Sequence, residues 1–174
     1  MSGHNKWAQI KHKKEMTDKK RGQIFSKLLR LISIAAKEEL NPEFNPKLRS
    51  AIEKAKENGV PQENIQRAVN KSKDSENLEG LLIEAYGPEG IAILITATTD
   101  SRNRAVAEIK KILNDYGGKW ADPGSVMWAF EKSSDGYIAK FPQEITPTVE
   151  EKLEKLVESL DDHDDVNEIF TSAQ

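Results

Sequence analysis

The sequence predicts an α+β protein: an N-terminal three-helix bundle followed by a ferredoxin-like antiparallel sheet with two helices on one face. Three observations carry this. Apolar residues recur at 3-to-4 spacing through the first seventy or so positions, the spacing that lays one stripe along a helix. From Leu81 onward β-rich runs alternate with two further helical patterns. The charge also reverses near the same place: residues 1–73 hold 17 Lys+Arg against 8 Asp+Glu, a formal +9, whereas the remaining 101 residues hold 9 against 21, a formal −12. The overall charge of −3 therefore conceals a basic module followed by an acidic one.

The first helix is expected from Asp18 to about Leu40, with Ile24, Phe25, Leu28, Leu29, Leu31, Ile32, Ala35 and Ala36 as its apolar face and Asn41-Pro42 as its stop. Asn45 suits an N-cap, Pro46 needs no donor at the first helical position, and Gly59 permits a left-handed C-terminal cap. Between them Leu48, Ala51, Ile52 and Ala55 face inward. Pro61 opens a third helix that buries Ile65, Ala68 and Val69. The polar stretch Lys71 to Gly80 reads as a linker. The expected division is a basic helical nucleic-acid-binding domain over 1–73, a linker over 74–80 and an acidic domain over 81–174.

In the acidic domain, Leu81 to Tyr86 and Ile91 to Thr99 form strands joined by a turn at Gly87-Pro88-Glu89-Gly90. A helix capped by Asp100 or Ser101 follows, with Ala105, Ile109, Ile112, Leu113 and Tyr116 inward and Gly117-Gly118 ending it. The alternation of Val126, Trp128 and Phe130 predicts a strand from about Ser125. Ser133 to Gly136 turns it into an edge strand over Tyr137 to Phe141. Thr148 with Glu151 reads as a capping box for the last helix, and Val166 to Thr171 closes the domain as a strand.

Composition excludes several classes. Absence of cysteine rules out disulfides and thiolate-ligated zinc. No apolar run approaches the roughly 20 residues of a spanning helix, so no membrane partner is expected. The N-terminus lacks the apolar core of a secretory signal, and Ser2 stands where N-myristoylation requires glycine. An organelle transit peptide is Arg-rich and poor in acids, whereas this N-terminus is Lys-dominated and carries Glu15 and Asp18, so a cytoplasmic location is expected. No phosphate-cradling glycine motif and no H-E-x-x-H arrangement occurs. No enzyme activity, cofactor, metal or small-molecule substrate is therefore expected, and His4 and His12 read as ordinary polar contacts.

The chemistry-bearing feature is the cationic run Lys6, Lys11, Lys13, Lys14, Lys19, Lys20 and Arg21, continued by Lys27 and Arg30 and supplemented by Lys47, Arg49, Lys54, Lys56 and Arg67. Each phosphate such a side chain neutralises releases a counterion, giving affinity with a steep salt dependence. Lysine makes point-charge contacts, so affinity is expected to exceed sequence specificity. The competing reading is a solvated basic face. Trp7, amid this charge, is a candidate stacking residue for an unpaired base, against packing on the bundle. The run Asp161, Asp162, His163, Asp164 and Asp165 lacks the spacing of a calcium loop and reads as a solvated turn. Trp120 and Trp128 read as sheet core, and Arg102 and Arg104 as surface charge.

Ser2-Gly3-His4-Asn5-Lys6-Trp7, Ile10-Lys11-His12-Lys13-Lys14, Lys20-Arg21-Gly22, Asn45-Pro46-Lys47-Leu48-Arg49, Val60-Pro61 and Asn64-Ile65 with Arg67-Ala68 resemble the YebC/PmpR family. The likeness continues through Tyr86-Gly87-Pro88, Thr99-Asp100, Asn103-Arg104, Gly117-Gly118, Gly124-Ser125-Val126 and Asp164-Asp165-Val166. The resemblance implies a helical N-terminal domain, ferredoxin-like α/β domains and a non-enzymatic regulator of gene expression. Bacterial members are described as probable DNA-binding transcriptional regulators. A mitochondrial relative is a translational activator, and some bacterial members are described as acting on the ribosome. The chain departs from the family between Ala139 and Pro142, where a further α/β domain is normally inserted, and at Asn41-Pro42-Glu43, where a Gly-rich connection is common. A DNA-binding transcriptional regulator is the expectation, with a translation factor bound to the ribosome or ribosomal RNA as the alternative. For duplex DNA, the helix Pro61 to Asn70 offers Asn64, Gln66, Arg67 and Asn70 toward base edges.

Overall fold

The structure, a computed structural model, describes residues 17–174. They form two compact units, one of residues 17–80 with 98–102 and the other of residues 81–97 with 103–174.

The first unit contains α1 (Asp18–Ala35), α2 (Pro46–Glu57) and α3 (Gln62–Asn70), which runs on into a 3₁₀ turn at Lys71–Asp74. Thr17 caps α1 by accepting the Lys20 N–H at 3.2 Å, and Asn45 caps α2 by accepting the Leu48 N–H at 3.0 Å. The three apolar stripes meet in one core of Leu28, Ile32, Ala36, Leu48, Ala55, Val60, Ile65 and Val69.

Two boundaries differ from the sequence reading. Helix α1 stops at Ala35 rather than near Leu40. The buried Asn45 side chain explains this, because its Nδ2 donates to Ala35 O and to Glu39 O, both at 2.8 Å, and so satisfies carbonyls that a continuing helix would otherwise need. The segment read as a linker is also partly regular, holding the 3₁₀ turn and the first residues of β1. Lys37 fastens it by donating to Glu76 O at 3.3 Å and Leu78 O at 2.8 Å.

From Glu79 onward the elements are β1 (Glu79–Tyr86), β2 (Ala92–Thr99), α4 (Arg102–Asp115), β3 (Lys119–Trp120), β4 (Phe130–Ser133), β5 (Gly136–Ala139), α5 (Pro147–Asp161) and β6 (Val166–Thr171). The main sheet has the order β3-β1-β2-β6, and β4 with β5 forms a separate antiparallel hairpin. Odd-numbered residues of β1 and β2, among them Ile83, Ala85, Ile93 and Ile95, pack with Ala105, Ile109 and Leu113 of α4 and with Leu153, Leu156 and Leu160 of α5. Both helices therefore cover the same face, in an α+β arrangement. A bulge between Thr96 and Ala97 shifts the register so that Val166 and Ile169 of β6 both join that core. At the end of α4, Gly117 takes φ +76, and a Cβ on Gly118 would lie 2.9 Å from Tyr86 O, so the pair is needed for two different reasons.

The region after Ala121 is the main departure from the sequence reading. A strand was expected from about Ser125, but the chain makes a loop and a 3₁₀ turn at Met127–Ala129 before β4 begins at Phe130. The cause is Glu84, a buried carboxylate on the sheet face away from α4 and α5. It accepts the N–H groups of Gly124 at 2.6 Å, Val126 at 2.8 Å and Met127 at 2.9 Å. Three N–H groups turned toward one carboxylate are unavailable to a strand ladder. Val126, Ala129 and Phe130 instead fill a second core with Leu94, Ala121 and Phe170. Trp128 is left 63% exposed, not buried in the sheet as expected. The cap of α5 also differs: it is Thr146, accepting from Val149 N–H at 3.4 Å, because Pro147 fits the first helical position and Thr148 lies inside the helix.

Candidate nucleic-acid interface

Among the expected contact residues, Lys6, Trp7, Lys11, Lys13 and Lys14 lie outside the described residues, as do His4 and His12. Over residues 17–73 the chain still carries 13 Lys+Arg against 7 Asp+Glu, a formal +6.

Helix geometry fixes where these cations point. On α1, Lys19 and Arg30 are eleven residues apart, about 20° in projection at roughly 100° per residue. They face away from the buried Leu28 and Ile32. Lys20 and Lys27 share a flank, but Lys27 is only 8% exposed, so little of it is open to a ligand. Arg21 stands 3.7 Å from Asp18. On α2 the apolar row of Leu48, Ala51, Ile52 and Ala55 separates two flanks, Lys47 with Lys54 on one and Arg49 with Lys56 on the other. Lys47 reaches Glu38 at 3.3 Å. Among the described residues the expected cations of α1 and α2 are thus spread over more than one helix face.

Two of them share one place. Between α2 and α3 lies a groove of about 300 Å³ lined by Arg49, Lys56, Gln62 and Gln66, with the acid Glu53 among them, over a floor of Ile52, Ile65 and Val69. It borders a shallower concavity of about 570 Å³ along α3, lined by Gln62, Glu63, Gln66, Arg67, Asn70 and Lys71. Ile65 and Val69 are buried, which fixes the rotation of α3 and turns the polar row outward. Gln66 Nε2 donates to Asn70 Oδ1 at 3.2 Å, and Arg67 is paired with Glu63 at 2.9 Å. Arg67 is 57% exposed, so this pair contributes little to stability and leaves the guanidinium exchangeable for a phosphate. The sequence reading missed Gln62 and Lys71. The available signal was the four-residue spacing of Gln62, Gln66 and Asn70.

In the other unit one cluster of charged residues is committed internally. Arg104 bridges Asp165 at 2.8 Å and Glu108 at 3.2 Å, and Glu108 also meets His163 Nε2 at 2.8 Å. The acidic turn is therefore partly structural, its Asp165 being 1% exposed and bound to α4. Among the described residues no group of three or more His, Cys, Asp or Glu is placed to hold a metal ion, and no helix is long and apolar enough to cross a membrane. Burial is the largest influence on Glu84 and opposes its charge, yet the three N–H bonds together outweigh it and hold the carboxyl below the ordinary glutamate range.

Two family models match the chain: the TACO1/YebC protein N-terminal domain over residues 5–75, and the TACO1/YebC second and third domain over residues 78–135. The chain belongs to the TACO1/YebC family. A relative from Petrotoga mobilis, named a probable transcriptional regulatory protein, is 41% identical over all of this chain and 71% of its own length. One from Carboxydothermus hydrogenoformans with the same name is 42% identical, over all of this chain and 74% of its own. Both TACO1/YebC relatives thus carry residues beyond those matched. The crystal structure of a conserved hypothetical protein from Aquifex aeolicus superposes with a TM-score of 0.84 at 29% identity, covering 97% of this chain and 96% of that one.

Proposed function

We propose that this TACO1/YebC chain is a nucleic-acid-binding regulator of gene expression that acts on duplex DNA as a transcriptional regulator. It works as a binding protein in the cytoplasm, with no catalytic step and no cofactor. The basic segment 1–73 forms the binding module, and the acidic segment 81–174 restricts how polyanions approach it. The observation that carries the reading is the cationic helical unit with its groove of Arg49, Lys56, Gln62 and Gln66. The names of the bacterial relatives point to the same class.

Binding of labelled duplex DNA, single-stranded RNA and purified ribosomes over a salt series tests it. Binding to duplex DNA is expected, with affinity falling steeply as salt rises. A variant with Lys20, Arg21, Arg49 and Lys56 changed to Glu is expected to lose most of that affinity. Rejection of duplex DNA in favour of ribosomes would replace the reading with that of a translation factor.

A further inference from the structure

Within that reading, on which this inference rests, we propose that α3 is the sequence-reading helix. Its amide row Gln62, Gln66 and Asn70 addresses base edges in the major groove of duplex DNA, while Arg49, Lys56 and Lys71 hold flanking phosphates.

The row is built by spacing. Successive members are four residues apart, so each step rises about 6 Å along the helix, close to the roughly 6.8 Å of two base-pair steps. A helix lying along the groove therefore presents one amide to every second base pair. Gln and Asn are the side chains that meet adenine N6 and N7 with two hydrogen bonds, which lysine cannot do. The nine-residue helix is about 13.5 Å long, and the major groove, about 12 Å wide, admits a helix. The deep, narrow major groove of A-form RNA does not, which favours duplex DNA over duplex RNA.

The row is also held in place. Ile65 and Val69 are buried on the adjoining face, as the floor of the α2–α3 groove beside Gln62 and Gln66, and the Gln66–Asn70 bond at 3.2 Å aligns two of the three amides before any ligand arrives. The Gln62 side chain makes no hydrogen bond among the described residues and is exposed. Two acids stand nearby: Glu63, paired with Arg67 and so less repulsive to phosphate, and Glu53, which lines the α2 side of the groove between Arg49 and Lys56. Cations stand on both borders, Arg49 and Lys56 across the α2 groove and Lys71 at the end of the row.

The test starts by enriching preferred duplexes from a random pool with the full chain. Binding to the enriched duplex and to a scrambled one is then compared for the wild type and for Gln62→Ala/Gln66→Ala/Asn70→Ala. Alanine favours helix at exposed positions, so the fold is retained, and far-UV circular dichroism confirms it. The wild type is expected to prefer the enriched duplex. The triple variant removes no cation, so it is expected to keep the wild-type salt slope while losing about 10- to 100-fold of the discrimination between the enriched and the scrambled duplex. A triple variant that keeps the preference, or a wild type that binds duplex DNA with no preference, overturns this inference and leaves the proposed function standing. A wild type that binds no duplex DNA overturns both.

Discussion

Asn45 shows how much one side chain can decide. It is 4% exposed, caps α2 through Oδ1, and through Nδ2 closes the carbonyls of Ala35 and Glu39. Asn45→Ala removes an N-cap worth about 1 kcal/mol and strands carbonyls in a partly buried site, so a loss of about 2–3 kcal/mol is expected in the urea unfolding of the helical unit. Asn45→Asp keeps the acceptor and loses the two donations, and is expected to fall between the wild type and alanine. Gly136 is the corresponding case in the β4–β5 hairpin. It takes φ +121, and a Cβ there would run into the Phe170 ring that Tyr137 meets edge-on at 5.4 Å. Gly136→Ala combines backbone strain with overpacking and is expected to cost more than about 2 kcal/mol in the urea unfolding of the sheet-containing unit.

At the scale of elements, helices with a local stripe and a local cap were legible: Asp18, Pro46 and the Val166 strand begin where the sequence places them. What was not legible depended on partners far along the chain. The loop over 121–129 reads as an alternating strand until Glu84, some forty residues earlier, takes its N–H groups. Likewise Asp165 reads as solvated until Arg104, 61 residues away, reaches it. In the helical unit the cationic character was legible, but not how its cations face relative to the core, because that is settled only once each helix's buried stripe is fixed. Glu84→Gln tests the loop account. An amide accepts these N–H groups less well than a carboxylate, so a loss of about 2–3 kcal/mol is expected near pH 7. The depressed folded-state pKa makes the wild-type advantage full above the unfolded glutamate value of about 4.3. It declines as pH falls below that value and through the lower folded one. Unfolding midpoints for both proteins from pH 7 to pH 3 should therefore converge at the acid end, and a constant gap would show that charge is not what holds the loop.

At the scale of the whole molecule, the proposed function asks which side of the helical unit would meet the polyanion. Formal charge does not answer it, since Lys19 and Arg30 face away from the core of α1 while Arg49, Lys56 and Lys71 border the α2–α3 groove. Counterion release does, because each phosphate that is no longer neutralised takes about 0.9 from the slope of log affinity against log salt. Neutralising Arg49, Lys56, Arg67 and Lys71 to Gln is expected to lower that slope by as much as about 3.6 on duplex DNA. Changing Lys19 and Arg30 to Gln is expected to leave it within about 1 of the wild type, since those two cations face away from the buried residues of α1 and line neither concavity. The two variants remove the same kind of charge from different places. A slope that falls in proportion to the charge removed, whichever side it comes from, would mean that the unit attracts DNA only as a diffuse cation. A slope that responds to the groove alone locates the contact on α2 and α3.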